Sequence, residues 1–197
     1  HVGDFQQRKS MQNIDDSELN GYVKDEHKFI DKENKKLKLI YGGNFRMKKR
    51  DFNSLFIGVR AKGVQVSSID NLDEALLNES LYDSGDLIIR ERKPDIYNAT
   101  LDVYGGYLDA GFELDKLSGN AGLRYEKDLI NVDWDVANYV GRKGNISNDY
   151  DNVLPALNLK YQLNEKNSFR LATSKTITLP EFKELSPFEY VSPTGRV

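Results

Sequence analysis

Few residues of this chain have the type and spacing that chemistry requires. Cysteine is absent and the only histidines are His1 and His27. That removes a thiolate nucleophile and a disulfide framework, and two separated histidines with no companion Cys argue against a transition-metal site. Asp133 and Asp135 fall on one side of a strand, as an acid/base pair would, but nothing in the flanking sequence positions a substrate or raises a pKa. Asn148, Asp149, Asp151 and Asn152 form an oxygen-rich run of the kind that takes calcium. Their spacing departs from the EF-hand loop, and a solvated loop accounts for them. Neither a G-x-S-x-G elbow nor a P-loop occurs. The residues give no positive sign of an enzyme, a cofactor or a bound metal.

What remains is charge at every second position. Arg124, Glu126, Lys160 and Arg170 lie on the polar side of alternating segments. The plain reading is a solvated charge ladder; the functional one is contact with whatever passes that side. Gly106, Gly122, Ala156 and Ala172 are assigned to the same side, where small residues let another element approach.

The elements that carry these residues are strands. In Lys116–Glu126 the odd positions are Leu117, Gly119, Ala121, Leu123 and Tyr125, against Lys116, Ser118, Asn120, Arg124 and Glu126. In Asn152–Leu163 the odd positions Val153, Leu157, Leu159 and Tyr161 oppose Asn152, Asn158, Lys160 and Gln162. A strand's side chains alternate faces, so each ribbon has one greasy and one wet side. Leu37–Arg50 repeats the pattern with Leu37, Leu39, Tyr41, Phe45 and Met47, and Phe52–Arg60 prolongs it. Tyr97–Leu108 reads the same way, with Tyr97, Ala99, Leu101, Val103 and Tyr107 on the apolar side. His1–Gly21 is polar and reads as the end of one strand and an exposed loop, Tyr22–Ile30 is a weak strand, and the final strand runs from Ser168 to about Thr178.

Connections alternate in length. Short ones fall near 31–36, 113–115 and 164–167; long ones cover 61–95, 138–151 and the segment after 178. A short helix is expected within 71–81. Net charge is −3, which gives no global attraction to nucleic acid. A mean hydropathy of −0.63 and the lack of a long apolar run exclude a membrane-spanning helix. They do not exclude a barrel, in which only alternate residues meet lipid. Long two-faced strands with short turns at one end and long loops at the other predict an all-β, antiparallel up-and-down transmembrane barrel segment of about six strands. Tyr41, Tyr107, Tyr125, Tyr161 and Trp134 are then candidates for aromatic girdles.

The stretch Asn152–Leu163, followed by Phe169–Ile177 and Leu179–Phe188 with its Pro180-Glu181-Phe182 signature, resembles TonB-dependent outer-membrane receptors, most closely the Bacteroidetes-type branch. Ala121–Glu126 and Tyr41–Arg46 resemble earlier strands of the same family. The resemblance implies a Gram-negative outer-membrane location and a barrel of about 22 strands around a plugged lumen. It further implies active import of a scarce nutrient such as an iron chelate, a vitamin or a glycan, driven by a TonB-type energy-transducing complex acting through the plug. Residues 1–197 are expected to be part of such a barrel, with the plug and the C-terminal strands missing. On this reading Arg124, Glu126, Lys160 and Arg170 face the lumen. Pro180, Glu181 and Phe182 fold at the barrel mouth, although a plain strand terminator explains that proline nearly as well. Loops 61–95 and 138–151 are favoured for solute contact. Expected partners are outer-membrane lipid, the energy-transducing complex and the solute, without nucleic acid, cofactor or metal. The competing reading is a soluble antiparallel β-domain, a glycan-binding or adhesion module, which would bury Leu123, Leu157, Leu159 and Leu171 beneath a second sheet.

Overall fold

The structure is a computed structural model that describes residues 6–61, 79–188, 191–192 and 195–196. Its strands are β1 (Gln6–Lys32), β2 (Lys35–Ala61), β3 (Leu87–Glu91), β4 (Asp95–Leu114), β5 (Leu117–Asp135), β6 (Lys143–Gln162) and β7 (Ser168–Ser174). Short helices α1 (Glu79–Asp83) and α2 (Phe182–Leu185) and the small pair β8 (Val191–Ser192) and β9 (Gly195–Arg196) complete it. One antiparallel sheet runs β1-β2-β4-β5-β6-β7, with β3 pairing the far end of β2. Among the described residues no helix is long and apolar enough to cross a membrane.

Turn chemistry fixes the lower end. Asp115 takes a positive φ of 48° in the tight connection between β4 and β5, a conformation that Asp tolerates better than most residues. Between β6 and β7 the Asn164 Oδ1 accepts hydrogen bonds from the backbone N–H of Lys166 at 3.0 Å and of Asn167 at 2.9 Å, an Asx turn. At the other end Gly141 and Arg142, both with positive φ, close the β5–β6 connection.

The strands are longer than the alternation suggested. β1 is a single strand of 27 residues, including the stretch before Tyr22 that the sequence reads as a strand end and an exposed loop. It is recruited by charge: Asp16 and Glu18 stand across from the basic run Arg46–Arg50 of β2. β4 extends to Leu114, and β6 begins at Lys143, so most of the supposed loop 138–151 is strand. The other supposed loop contains β3 and α1; the expected helix over 71–81 lies largely outside the described residues. Twenty residues at about 3.4 Å each give roughly 68 Å, about twice the thickness of a hydrocarbon core. Part of every long strand must therefore stand clear of the bilayer.

Polarity changes along β2, β4, β5 and β6 near that boundary. One face of the lower half carries Leu37–Met47, Tyr104–Phe112, Leu117–Tyr125 and Val153–Tyr161 at alternate positions, lined up by register into one apolar band. Each crossing is about 9–11 residues, as a spanning strand requires. Leu123 is 51% exposed and Leu171 58%, so among the described residues no second sheet covers them. Above the band the same face turns polar, with Lys49, Asp51, Asn98, Asp102, Asp133 and Asp149.

The opposite face inverts this. Its lower half is polar, and its upper half is a core of Phe52, Tyr97, Ala99, Ile130 and Val132. Here the reading of β4 needs correction. Tyr97, Ala99, Leu101 and Val103 point to the same side as Arg124 and Glu126, because register pairs Gly105 with Glu126 and Val103 with Asp128. The apolar phase of β4 jumps to the other face between Val103 and Tyr104. Gly106 therefore lies on the band face beside Tyr125, away from Gly122, and Gly105 takes the place assigned to it. Tyr107 and Trp134 also leave the expected girdle: Tyr107 covers Gly42 and Trp134 covers Gly144 on the non-band face.

Candidate lumenal site

A strap of chain covers the upper wall. β7 ends at Ser174 rather than near Thr178; the last rung is the Lys175 N–H donating to the Pro155 carbonyl at 3.0 Å. Pro155 has no N–H to return that bond, so the ladder runs out there. The chain then crosses back over the sheet. The Glu184 carboxylate accepts the backbone N–H of Glu181 at 3.0 Å and starts α2, while Phe182 enters the core at 6% exposure. Leu179, Leu185 and Phe188 pack around it. Phe52 stacks on Tyr97 with centroids 4.6 Å apart, and Phe188 meets Phe52 edge-on at 4.9 Å. Arg50 sits 5.7 Å over the Phe182 ring, a cation–π contact that joins the wall to the strap.

Between strap and wall lies a cavity of about 530 Å³. Asn44, Arg46, Lys48, Arg50, Arg124 and Glu126 line it from the strands, and Ile177, Leu179, Pro180, Glu181 and Phe182 from the strap. Its cations are already engaged. Arg50 donates twice to Asp16, both bonds 2.6 Å, and Arg46 donates to Glu18 at 2.9 Å. Arg124 donates to Asn44 at 2.8 Å and, through Nε, to Glu126 at 2.8 Å. Paired in this way they form a rigid charged lattice on half-buried wall, each bond stronger than a neutral one. Beyond the band the Arg50 guanidinium holds the Asp16 carboxyl below the usual carboxylate range. Asp128, fully buried on the same face, is pushed the other way by its burial, and only one of its oxygens finds a partner, Asn152 at 3.1 Å.

A second lattice holds the upper turn. Asp135 accepts from Lys93 at 2.5 Å and from Arg142 at 2.6 Å, while Arg142 also donates to the Pro94 carbonyl at 2.7 Å. These hydrogen bonds keep the Asp135 carboxyl below its ordinary value. Among the described residues no group of three or more His, Asp or Glu is placed to hold a metal ion.

Of the residues singled out from sequence, Arg124, Glu126, Pro180, Glu181 and Phe182 come together at the cavity. Lys160 and Arg170 share the face but pair with one another near the lower turn. Of loop 61–95, residues 62–78 lie outside the description. Sequence reasoning missed Asn44, Arg46, Lys48 and Arg50 as one wall of a site. The available signal was the basic run Arg46–Arg50 facing the acidic run Asp15–Glu18.

Comparison with known proteins places this architecture. The Outer membrane protein beta-barrel family matches residues 5–194. The siderophore receptor PiuA from Acinetobacter baumannii has a similar structure, with a TM-score of 0.54 at 18% identity over 78% of this chain. The ferric citrate transporter FecA matches with a TM-score of 0.47 at 14% identity over 80% of this chain. This chain spans only 22% and 20% of the lengths of those two. No curated protein sequence matches it. The match over nearly the whole chain makes it a member of the outer membrane β-barrel family, and the sequence resemblance to TonB-dependent receptors agrees with that family and with the PiuA fold. Its place is the Gram-negative outer membrane. In barrels of this kind an outward apolar band meets lipid; the strap and the cavity lie on the face opposite that band.

Proposed function

We propose that this chain forms part of the wall of a TonB-dependent receptor that actively imports a scarce nutrient. The plug and the remaining strands would come from the rest of a longer protein, and a TonB-type complex would supply the energy through the plug. The observation that carries this reading is the strap. It lies on the face opposite the apolar band and presents Pro180 and Glu181 over a wall of fixed charges, which supports a place on the solute path if that face lines the lumen. Arg124 and Glu126 are the wall residues we assign to solute or plug contact. Fixed, already paired charges offer directional hydrogen bonds to a polar solute without holding it too tightly to release.

The test is uptake by cells carrying the full-length receptor, offered a labelled iron chelate, cobalamin or an oligosaccharide, with and without a protonophore. Accumulation of one class that the protonophore abolishes supports the proposal. Energy-independent leakage of all three, or none entering, counts against it. The soluble-module reading loses its main support, since Leu123 and Leu171 lie bare in a continuous band instead of beneath a second sheet.

A further inference from the structure

On the lipid-facing side, the upper edge of the apolar band is interrupted by a groove. Gly43 and Gly106 stand directly opposite each other, flanked in the same row by Val23 and Tyr125. A Cβ built on Gly106 would meet nothing nearer than 4.0 Å, so the space above it is open. The surrounding rings lean away rather than fill it. Phe45 lies across Gly21, where a Cβ would be 2.3 Å from the ring, and the Tyr125 hydroxyl donates to Asp151. The result is a groove of about 740 Å³ walled by Val23, Phe45, Tyr104 and Tyr125. At its upper rim stands Lys127, the first outward residue of β5 beyond Tyr125, in one row with Phe45 and Tyr104. Lys127 makes no ion pair among the described residues, and its cross-strand neighbour Asp151 is taken up by Tyr125. The outward lysine Lys49, by contrast, is paired with Asp51 at 2.9 Å.

We propose that this groove is a seat for one phosphate-bearing lipid of the outer leaflet, its acyl chain over Gly43 and Gly106 and its phosphate on Lys127. Three features point to that occupant. The groove is continuous with the surface that already faces hydrocarbon, so an acyl chain reaches it without leaving the bilayer. The gap lies along an apolar floor flanked by aromatic walls, which suits a chain and not a hydrated solute. The Lys127 ammonium, without an ion pair among the described residues, lies at the upper edge of the band on β5, and a basic group near the headgroup layer attracts lipid phosphate. The seat is on the far side of the wall from the proposed solute path, so it does not depend on the transport reading.

The experiment uses the full-length receptor, purified in detergent, stripped of lipid, and titrated with bisphosphorylated lipid A or with its dephosphorylated form while native mass spectrometry counts retained lipid. One bisphosphorylated lipid should stay on the wild-type protein. Lys127→Ala should weaken its retention about fivefold and Lys127→Arg should restore it. Gly106→Leu, which fills the groove, should weaken both lipid forms about tenfold or more. Should Gly106→Leu fail to fold, Gly106→Ala offers a smaller filling of the same space, its Cβ meeting nothing nearer than 4.0 Å. Equal retention of both lipid forms, or retention that ignores Lys127 and both glycine variants, overturns the proposal. So does displacement of the lipid by millimolar inorganic phosphate alone, which would mean an isolated anion contact. Solute uptake by the same variants should stay within about twofold of wild type; a loss of uptake with lipid retention intact would instead concern the transport reading.

Discussion

The lower and upper halves of the sheet are built from the same strands with opposite polarity. Below, Leu108, Leu123 and Val153 point outward and Arg124, Asn120 and Asp109 point inward. Above, Asp102, Asp133 and Asp149 point outward while Tyr97, Ile130 and Val132 point inward. Alternation is the same in both halves; its phase is set by what covers each face. Lipid covers the outside of the lower half, and the strap covers the inside of the upper half. A greasy face thus marks contact with something apolar, without saying whether that is hydrocarbon or protein.

The contrast can be broken most forcefully by charge. Ala121→Arg, at the centre of the band, should cost about 2–4 kcal/mol in denaturant unfolding of the full-length receptor from bilayers. Asp133→Arg, on the outward face above the bilayer, should stay within about 0.5 kcal/mol. Equal costs would mean that the band has been drawn in the wrong place.

Removing an aromatic ring separates the two kinds of cover. Phe182→Ala should weaken docking of the strap by about 3–5 kcal/mol, seen as faster hydrogen exchange and tryptic cleavage at Lys183. Phe169→Ala, at an exposed band position, should leave the strap's exchange unchanged. If the strap stays protected without Phe182, the core above the bilayer does not rest on that ring.

Two adjacent glycines sharpen the comparison further. A Cβ at Gly105 would lie 2.3 Å from the Arg124 guanidinium and 2.7 Å from Asn44, on the crowded face opposite the band. Gly105→Ala should therefore cost about 1–3 kcal/mol and loosen Arg124. Gly106→Ala, one residue along on the open lipid side, should be near neutral, within about 0.5 kcal/mol. Denaturant midpoints of the two single variants decide it.

The smallest effect is electrostatic. Burial raises the Asp128 carboxyl above its ordinary value of 3.8, so the folded state holds this proton more tightly than the unfolded one. Asp128 lies on β5 beyond the band, where water can reach the unfolded chain. Its stabilising contribution is complete below the usual carboxylate pKa and is lost as pH rises through the raised one. Asp128→Asn should remove that decline, giving a flatter stability profile from acid to neutral pH and a higher midpoint at neutral pH. An unchanged slope would mean that Asp128 does not titrate differently in the two states.

Much of this molecule is legible in local pattern. The period-two runs Leu117–Tyr125 and Val153–Tyr161 and the turn Asn164–Asn167 are visible without coordinates, because alternation and turn chemistry act between near neighbours. Arg124 and Glu126 could be placed on the wet face by counting alone. β4 could not be assigned that way. Its apolar phase changes at Val103-Tyr104, and counting from Tyr97 carries the wrong parity into Gly106 and Tyr107. β1 was hidden because its lower hydrophobicity is offset by ion pairs with a strand some thirty residues away, such as Arg50 with Asp16.

By itself the sequence determined that the chain is a set of long two-faced antiparallel ribbons with tight turns at one end. Those preferences are written in each residue's own size, polarity and backbone freedom. Only the tertiary structure decided which side of the upper wall is apolar, that the ladder stops at Pro155, and that Phe182 reaches across to Phe52, Tyr97 and Arg50. Those outcomes depend on register and on a strap returning from far along the chain, and neither is encoded in any single stretch of chain.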